Sequence, residues 1–359
     1  MTGEESDLDR TLRLPDELFG SVASSDGPRS TRRLDPVLPA WLFADAPRAG
    51  RGSELEAQLP AVGTRVDKFR LDALLGVGGF AAVFRATHLL LGTTVALKLL
   101  RPDVALRRAG LAEALCNEAR FAARIDHPNV VRVYDVTHTS ELTYVVMEYI
   151  AGESLEQAIR RHGALPLRRV LEIGLDVAAG LRAGLERQLL HRDVKPRNII
   201  VTPEGLAKLI DLGLAHSHLD AVSLPGAQSG RGRRIVGTHG YLAPEWVLEP
   251  SAVDFRADVY SLGVTLYYAA TGRLPFSTTD PEACLKAHCE RPVPSPRSFR
   301  SDLPEAFARL LGRMLEKRPA LRHESYDVLQ AELRAISEGI QPPSGSAVAD
   351  QRAALEARP

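Results

Sequence analysis

At Gly152 the chain turns from mostly strand-like runs to long amphipathic helices, and that change narrows what it can fold into more than any other feature. Between Phe69 and Leu100, β-branched and apolar residues come in three short runs separated by glycine-rich or His/Gly turns, the pattern of antiparallel strands. Arg107 to Ile125 then places Leu111, Leu115, Ala119 and Ala122 at helical spacing, and strand character returns at Val130 to Val136 and Leu142 to Tyr149. Beyond Gly152 the chain turns to long amphipathic helices, expected at Pro166 to Arg187, Arg256 to Thr271, Leu303 to Glu316 and Glu324 to Glu338. The expectation is a bilobal α+β domain over residues 68–339. Residues 68–150 form a small antiparallel lobe of five strands and one main helix, and 151–339 a larger, mostly helical lobe.

The flanks differ in composition. Residues 1–67 are rich in Pro, Gly, Ser, Arg and Asp, with apolar residues too scattered to build a face, so they read as a disordered arm. Two apolar clusters in it, Leu12 to Phe19 and Val37 to Phe43, offer docking segments for a partner or for the domain itself; an ordinary solvated tail is the plainer reading. Residues 340–359 read as a C-terminal tail. Lys plus Arg and Asp plus Glu stand at 45 each, so no global field draws the chain to nucleic acid or to an anionic membrane. The three cysteines, Cys116, Cys284 and Cys289, form no CxxC pair, which speaks against a disulfide framework and a zinc site. The first residues lack the order of a secretory signal, and the most apolar stretch, Val259 to Ala270, is too short to span a bilayer. A cytoplasmic location is expected.

Chemistry concentrates in His191-Arg192-Asp193-Val194-Lys195-Pro196-Arg197-Asn198 and, after an expected hairpin, Asp211-Leu212-Gly213. Phosphoryl transfer asks a protein mainly for position and charge: a carboxylate beside the attacking hydroxyl, metal ligands, and a cation on the migrating group. Asp193, Asn198 with Asp211, and Lys195 meet those needs in turn. Asn198 follows Asp193 by five positions and Asp211 follows Asn198 by thirteen, a spacing that a hairpin through Ile199 to Ile210 would fold back on itself. Upstream, Gly76-Val77-Gly78-Gly79-Phe80 lies between two expected strands, where glycines let backbone N–H groups fold over phosphates. Lys98 sits in the otherwise apolar Val95-Ala96-Leu97, where an unpaired ammonium is costly, so it needs anions nearby.

Read together as HRDxKxxN, a DFG-like triplet, GxGGF and VALK, these motifs resemble eukaryotic-type serine/threonine protein kinases of bacterial character, over about Phe69 to Glu338. The resemblance implies a proton-accepting Asp193, a γ-phosphate cation in Lys195, and a phosphate-binding Lys98 held by Glu118, with Glu113 as the competitor. It implies a nucleotide pocket of Gly76, Val77, Gly78, Gly79, Phe80, Val83, Ala96, Lys98, Met147 and Ile200, with adenine on the backbone of Glu148 and Ile150. ATP and Mg²⁺, with Mn²⁺ as a substitute, are the implied cofactors, and Asn198 and Asp211 the metal ligands. Two departures stand out: Ala81 replaces the third glycine, and Leu212 replaces the family phenylalanine.

The lysine after Asp193 and the run Gly237 to Glu245 are similar to serine/threonine rather than tyrosine kinases. Thr238 would then help receive the substrate side chain, Glu245 would pair with Arg322, and Asp258 would brace the catalytic loop. Around Arg322 the sequence lacks the family's usual DP pair, so a solvated arginine is the competing reading. Arg192 would bind a phosphate on the following polar segment, where Ser223 and Ser229 are the candidates for autophosphorylation. Protein substrates bearing Ser or Thr are the implied partners. The rivals are a pseudokinase-like nucleotide-binding scaffold and a small-molecule kinase, whose loops tend to lack the lysine and the GT…APE run.

Overall fold

The structure, a computed structural model, describes residues 59–78, 80–101, 110–139, 142–211, 239–278 and 280–339. Gly79, Leu212, Gly213, Ser223, Ser229 and Thr238, the two apolar clusters of the arm and the tail from 340 lie outside the described residues.

The smaller lobe is one antiparallel sheet built from β1 (Arg65–Val66), β2 (Phe69–Val77), β3 (Ala81–His88), β4 (Thr94–Leu100), β5 (Val133–His138) and β6 (Thr143–Glu148), in the order β1-β2-β3-β4-β6-β5. Side chains alternate across it, as strand geometry requires. On β4, Val95, Leu97 and Leu99 pack with Phe69, Leu71, Phe84 and Tyr144 on one face. Ala96 and Leu100 turn to the other, where helix α1 (Leu111–Ala122) packs through Leu111, Leu115 and Ala119. Lys98 shares that second face by period, so the same alternation that builds the lobe aims its ammonium at α1.

Residues 59–67 pack onto the sheet. Leu59 packs against the first core face, Gly63 N–H donates to Leu71 O at 2.7 Å, β1 pairs with the start of β2, and Tyr144 Oη donates to Asp67 Oδ2 at 2.5 Å. Residues 59–67 are therefore part of the lobe, and the sheet has six strands where five were expected. A two-residue strand is too short to carry an alternating pattern, so nothing in the local sequence marks it.

After β7 (Glu153–Ser154) come α2 (Leu155–His162) and α3 (Leu167–Leu185), then the hairpin β8 (Ile199–Val201) and β9 (Ala207–Leu209), with the sheet order β7-β8-β9. The remainder is α4 (Glu245–Leu248), α5 (Arg256–Thr271), α6 (Pro281–Glu290), α7 (Glu305–Met314) and α8 (Tyr326–Ser337). Helix α5 is buried nearly all round, from Ala257 to Ala270, which makes it the axis of the large lobe. It ends where Gly272 takes the left-handed conformation at φ 70°. Helices α2 and α6 were not expected, since each is only about two or three turns long. A readable sign of α2 was present: Ser154 and Gln157 form a reciprocal capping box at its start.

Candidate active site

The cleft between the lobes is reached from both sides by charged groups. Lys98 Nζ lies 2.8 Å from Asp211 Oδ1 and 3.4 Å from Glu118 Oε1. Glu118 is buried on α1, while Glu113 on the same helix is exposed, so Lys98 meets the former. Burial by itself would lower the Lys98 pKa; the charges of Asp211 and then Glu118 outweigh it and hold the ammonium above an ordinary lysine. For Asp211, burial pushes upward, but Lys98, with smaller help from His191 and Lys195, pulls its carboxyl below the usual range. Asp211 stays ionised beside a fixed cation. A small cavity of about 30 Å³ opens behind this pair, lined mainly by Leu115, Ala119, Val131, Val145 and Met147.

The loop from His191 to Asn198 forms a second cluster. Lys195 Nζ sits 2.8 Å from Asp193 Oδ1 and 2.6 Å from Oδ2. The Asn198 amide nitrogen donates to Asp193 O and to Asp193 Oδ2, both at 2.9 Å. With its N–H groups committed to Asp193, Asn198 presents its amide oxygen as the group available to a cation. Asn198 O in turn accepts from Ile210 N–H at 2.9 Å, so the β8–β9 hairpin returns Asp211 to the neighbourhood of Asn198. Two hard oxygen groups, one amide and one ionised carboxylate, suit a divalent cation that takes its remaining ligands from phosphates and water.

Backbone strain marks both ends of the site. Arg192 (φ 64°) and Asp211 (φ 57°) adopt the left-handed conformation, which costs a residue with a side chain on the order of 1–3 kcal/mol. Asp258, buried on α5, holds the first of them: its Oδ2 accepts His191 N–H at 2.8 Å and its Oδ1 accepts Arg192 N–H at 2.7 Å. Burial pushes the Asp258 carboxyl upward, and the charge and N–H of His191 with the N–H of Arg192 offset this only in part. The Arg192 guanidinium lies over the Trp246 ring, 5.8 Å from its centroid.

The glycine-rich loop joins β2 to β3, with Val77 opposite Ala82 and Gly78 N–H donating to Ala81 O at 2.8 Å. Ala81 is not among the residues of positive φ, so its methyl group sits without strain where a third glycine would stand in the motif. A side chain at Gly76 would meet nothing within 4 Å, which leaves the loop's open face clear. Phe80, Val83, Ala96, Met147 and Ile150 gather in one apolar cluster around α1, forming a wall above the cleft. Below it, Ile200 on β8 lies beside Gly152; a methyl group there would stand 2.4 Å from Val201 O and 3.0 Å from the Ile200 side chain. Only glycine lets the connecting chain press onto the hairpin so closely.

In the large lobe, Arg322 and Glu245 form a buried bidentate pair at 2.6 and 2.8 Å. Arg322 also donates to the carbonyls of Glu316, Arg256 and Lys317, which places all five of its N–H groups in hydrogen bonds. The pair needs no DP sequence before it: a 3₁₀ turn at Pro319–Leu321 delivers Arg322 while Arg318 stays exposed.

One residue was missed. Lys208, in the apolar run Ala207-Lys208-Leu209, is mostly buried and lies 2.5 Å from Glu148 Oε1. The signal that singles out Lys98, an ammonium in an apolar strand, was equally present there.

A lysine-bearing sheet facing two carboxylates across a cleft, above a strained loop braced from a central helix, is the architecture of the bilobal kinase class. The chain belongs to the protein kinase domain family, whose model matches residues 69–333. It is similar to the serine/threonine-protein kinase PknB of Mycolicibacterium smegmatis, 35% identical over 299 residues that make up 82% of this chain and 47% of that protein. The serine/threonine-protein kinase PksC of Streptomyces coelicolor is 35% identical over 77% of this chain and 50% of its own length. The chain thus spans half or less of these relatives. Among solved structures, a double mutant of the Mycobacterium tuberculosis PknI kinase domain is 26% identical with a TM-score of 0.60, covering 78% of this chain and 99% of that one. Members of this family use ATP and a divalent metal. Among the described residues, no helix is long and apolar enough to cross a membrane.

Proposed function

We propose that this chain transfers the γ-phosphate of ATP to serine or threonine hydroxyls of proteins. The observation that carries the reading is the Lys98 bond to Asp211, which links the glycine-loop lobe to the catalytic hairpin at 2.8 Å. In this reading Asp193 accepts the proton of the attacking hydroxyl as its oxygen bonds to the γ-phosphorus and the bond to the β-phosphate oxygen breaks. Lys195, already on the same carboxylate, stands ready to meet the charge that builds on the migrating group. Lys98 holds the α- and β-phosphates, with Glu118 as its second anionic partner at 3.4 Å. Magnesium, with manganese as a substitute, would be held by Asn198 and Asp211 and would neutralise phosphate charge when bound. Adenine would lie between the Val83, Ala96 and Met147 wall and Ile200, on the backbone of Glu148 and Ile150.

The Ser/Thr preference is supported by Lys195, two residues after Asp193, and by the relatives' names. Autophosphorylation at Ser223 or Ser229, with Arg192 as the receiving cation, belongs to the same proposal. The scaffold alternative is disfavoured because Lys98, Glu118, Asp193, Asn198 and Asp211 are all retained.

Radiolabel transfer from [γ-³²P]ATP to a generic basic protein tests the reading. Transfer by the wild type and its loss in Asp193→Asn is the expected result; equal labelling by both proteins would refute it. Mass spectrometry after incubation with Mg·ATP, beside a Ser223→Ala/Ser229→Ala variant, tests the regulatory part. Unmodified serines in an active wild-type protein would remove it.

A further inference from the structure

Lys208 stands in β9 between buried Ala207 and Leu209, and its side chain is only 14% exposed. Its partner Glu148 is the last residue of β6, where the chain leaves the small lobe. Glu148 is fixed from another side as well: its N–H donates to Arg132 O at 2.8 Å, and its Oε2 accepts Arg132 N–H at 3.3 Å. The carboxylate therefore spans two segments, one oxygen on β9 and the other on the chain before β5.

The position of Lys208 in the hairpin gives the contact its meaning. It lies directly across from Ile200 in the β8–β9 register, and directly opposed residues in an antiparallel pair point to the same face. On β8, Ile200 also faces Ser154 of β7, and Gly152 packs on Val201 just before it. Lys208 is three residues before Asp211, and Ile210, between them, bonds to Asn198. One ammonium thus connects the strand that leads into the metal-ligand pair with the strand end that would carry adenine. A surface ion pair would be worth little here, but this one is three-quarters or more buried on both sides, and breaking such a pair leaves a stranded charge.

We propose that Lys208 is a positioning residue for the nucleotide: through Glu148 it sets the height of the adenine-bearing backbone above Ile200. It acts on the base end of ATP and not on the phosphates. The inference rests on the nucleotide reading of the cleft given above, and adds to it a residue outside the motifs.

The test compares wild type, Lys208→Met, Lys208→Arg, Glu148→Gln and the charge swap Lys208→Glu/Glu148→Lys. Steady-state phosphoryl transfer gives KM for ATP and kcat separately, and calorimetry gives Kd for Mg·ADP and for magnesium tripolyphosphate, which has no base. Lys208→Met is expected to raise KM and the Mg·ADP Kd about tenfold while kcat changes less than about twofold and tripolyphosphate binding is unchanged. Lys208→Arg and the swap are expected to restore most of the affinity. Wild-type nucleotide binding with an unchanged KM in Lys208→Met, even if the variant melts earlier, overturns this inference alone. Wild-type protein that binds no Mg·ADP overturns the nucleotide reading and this inference with it. If Lys208→Met does not fold, Glu148→Gln against Lys208→Arg carries the same comparison, since the first breaks the charge pair and the second keeps it.

Discussion

Two ion-pair systems in this molecule are built in opposite ways. At Arg322 every donor is used: two bonds to Glu245, three to carbonyls, and 0% side-chain exposure, with the guanidinium lying 4.8 Å from the Tyr260 ring centroid. At Lys98 the ammonium is shared between Glu118 at 3.4 Å and an Asp211 whose side chain is 38% exposed. The first is saturated and has no reason to move. The second is left incomplete on its open side, so an incoming anion can take a place in it without breaking a finished network. Desolvation explains the contrast: a fully buried pair must satisfy every lone pair and proton to offset its cost, whereas a cleft pair keeps water as a partner until substrate replaces it.

The comparison breaks most visibly at the saturated pair. Arg322→Ala strands Glu245 in the core and is expected to cost about 3–5 kcal/mol, read from urea unfolding. The double variant Glu245→Leu/Arg322→Leu should recover most of that loss; if it stays as unstable as the single variant, the pair supplies more than mutual neutralisation. The cleft should answer in the other currency, rate. Asp193→Asn is expected to lower phosphoryl transfer about 10²–10⁴-fold with the unfolding midpoint nearly unchanged. A large loss of stability in that variant would mean that Asp193 is structural as well, like Arg322.

A third probe uses pH. His288 is buried against Tyr260, whose hydroxyl lies 2.9 Å from its Nδ1, and burial followed by the charge of Lys317 pushes its pKa down from 6.5 to about 4. The unfolded chain therefore binds a proton that the folded one refuses. Stability from this group is complete above pH 6.5 and is lost as pH falls toward 4, by on the order of 3 kcal/mol. The midpoint of His288→Gln should vary less with pH than wild type across that window; an identical slope would place the acid sensitivity elsewhere. The smallest effect is expected at the join between the regions. Gly152→Ala drives a methyl group into Val201 O and should cost about 1–3 kcal/mol, with KM for ATP rising more than kcat falls. An unchanged KM would show that the connecting chain yields without disturbing the nucleotide edge.

Much of this was legible from residue order. Short β-branched and apolar runs between turns gave the strands of the small lobe, period 3.6 gave α3, α5, α7 and α8, and the typed spacing from Asp193 to Asp211 predicted a returning hairpin where β8 and β9 lie. Asp193, Lys195, Asn198 and Asp211 lie close in sequence because they ride on one loop and one hairpin. Harder to read were β1, which is two residues long, and α6, which spans under three turns. Lys208 carried a signal, yet its partner sits 60 residues earlier, and no local pattern joins the two.

What the sequence determined by itself was the two-lobed division and the close run of charged and polar groups from Asp193 to Asp211, since these follow from periodicity and residue order. Only the tertiary structure decided which carboxylates Lys98 meets, that Asp258 holds Arg192 in a strained turn, and that Arg322 is wholly buried in spite of its unusual surroundings. Those outcomes depend on burial and on contacts between distant segments. A charge's partner is fixed by which faces pack together, and that is settled by the whole core at once.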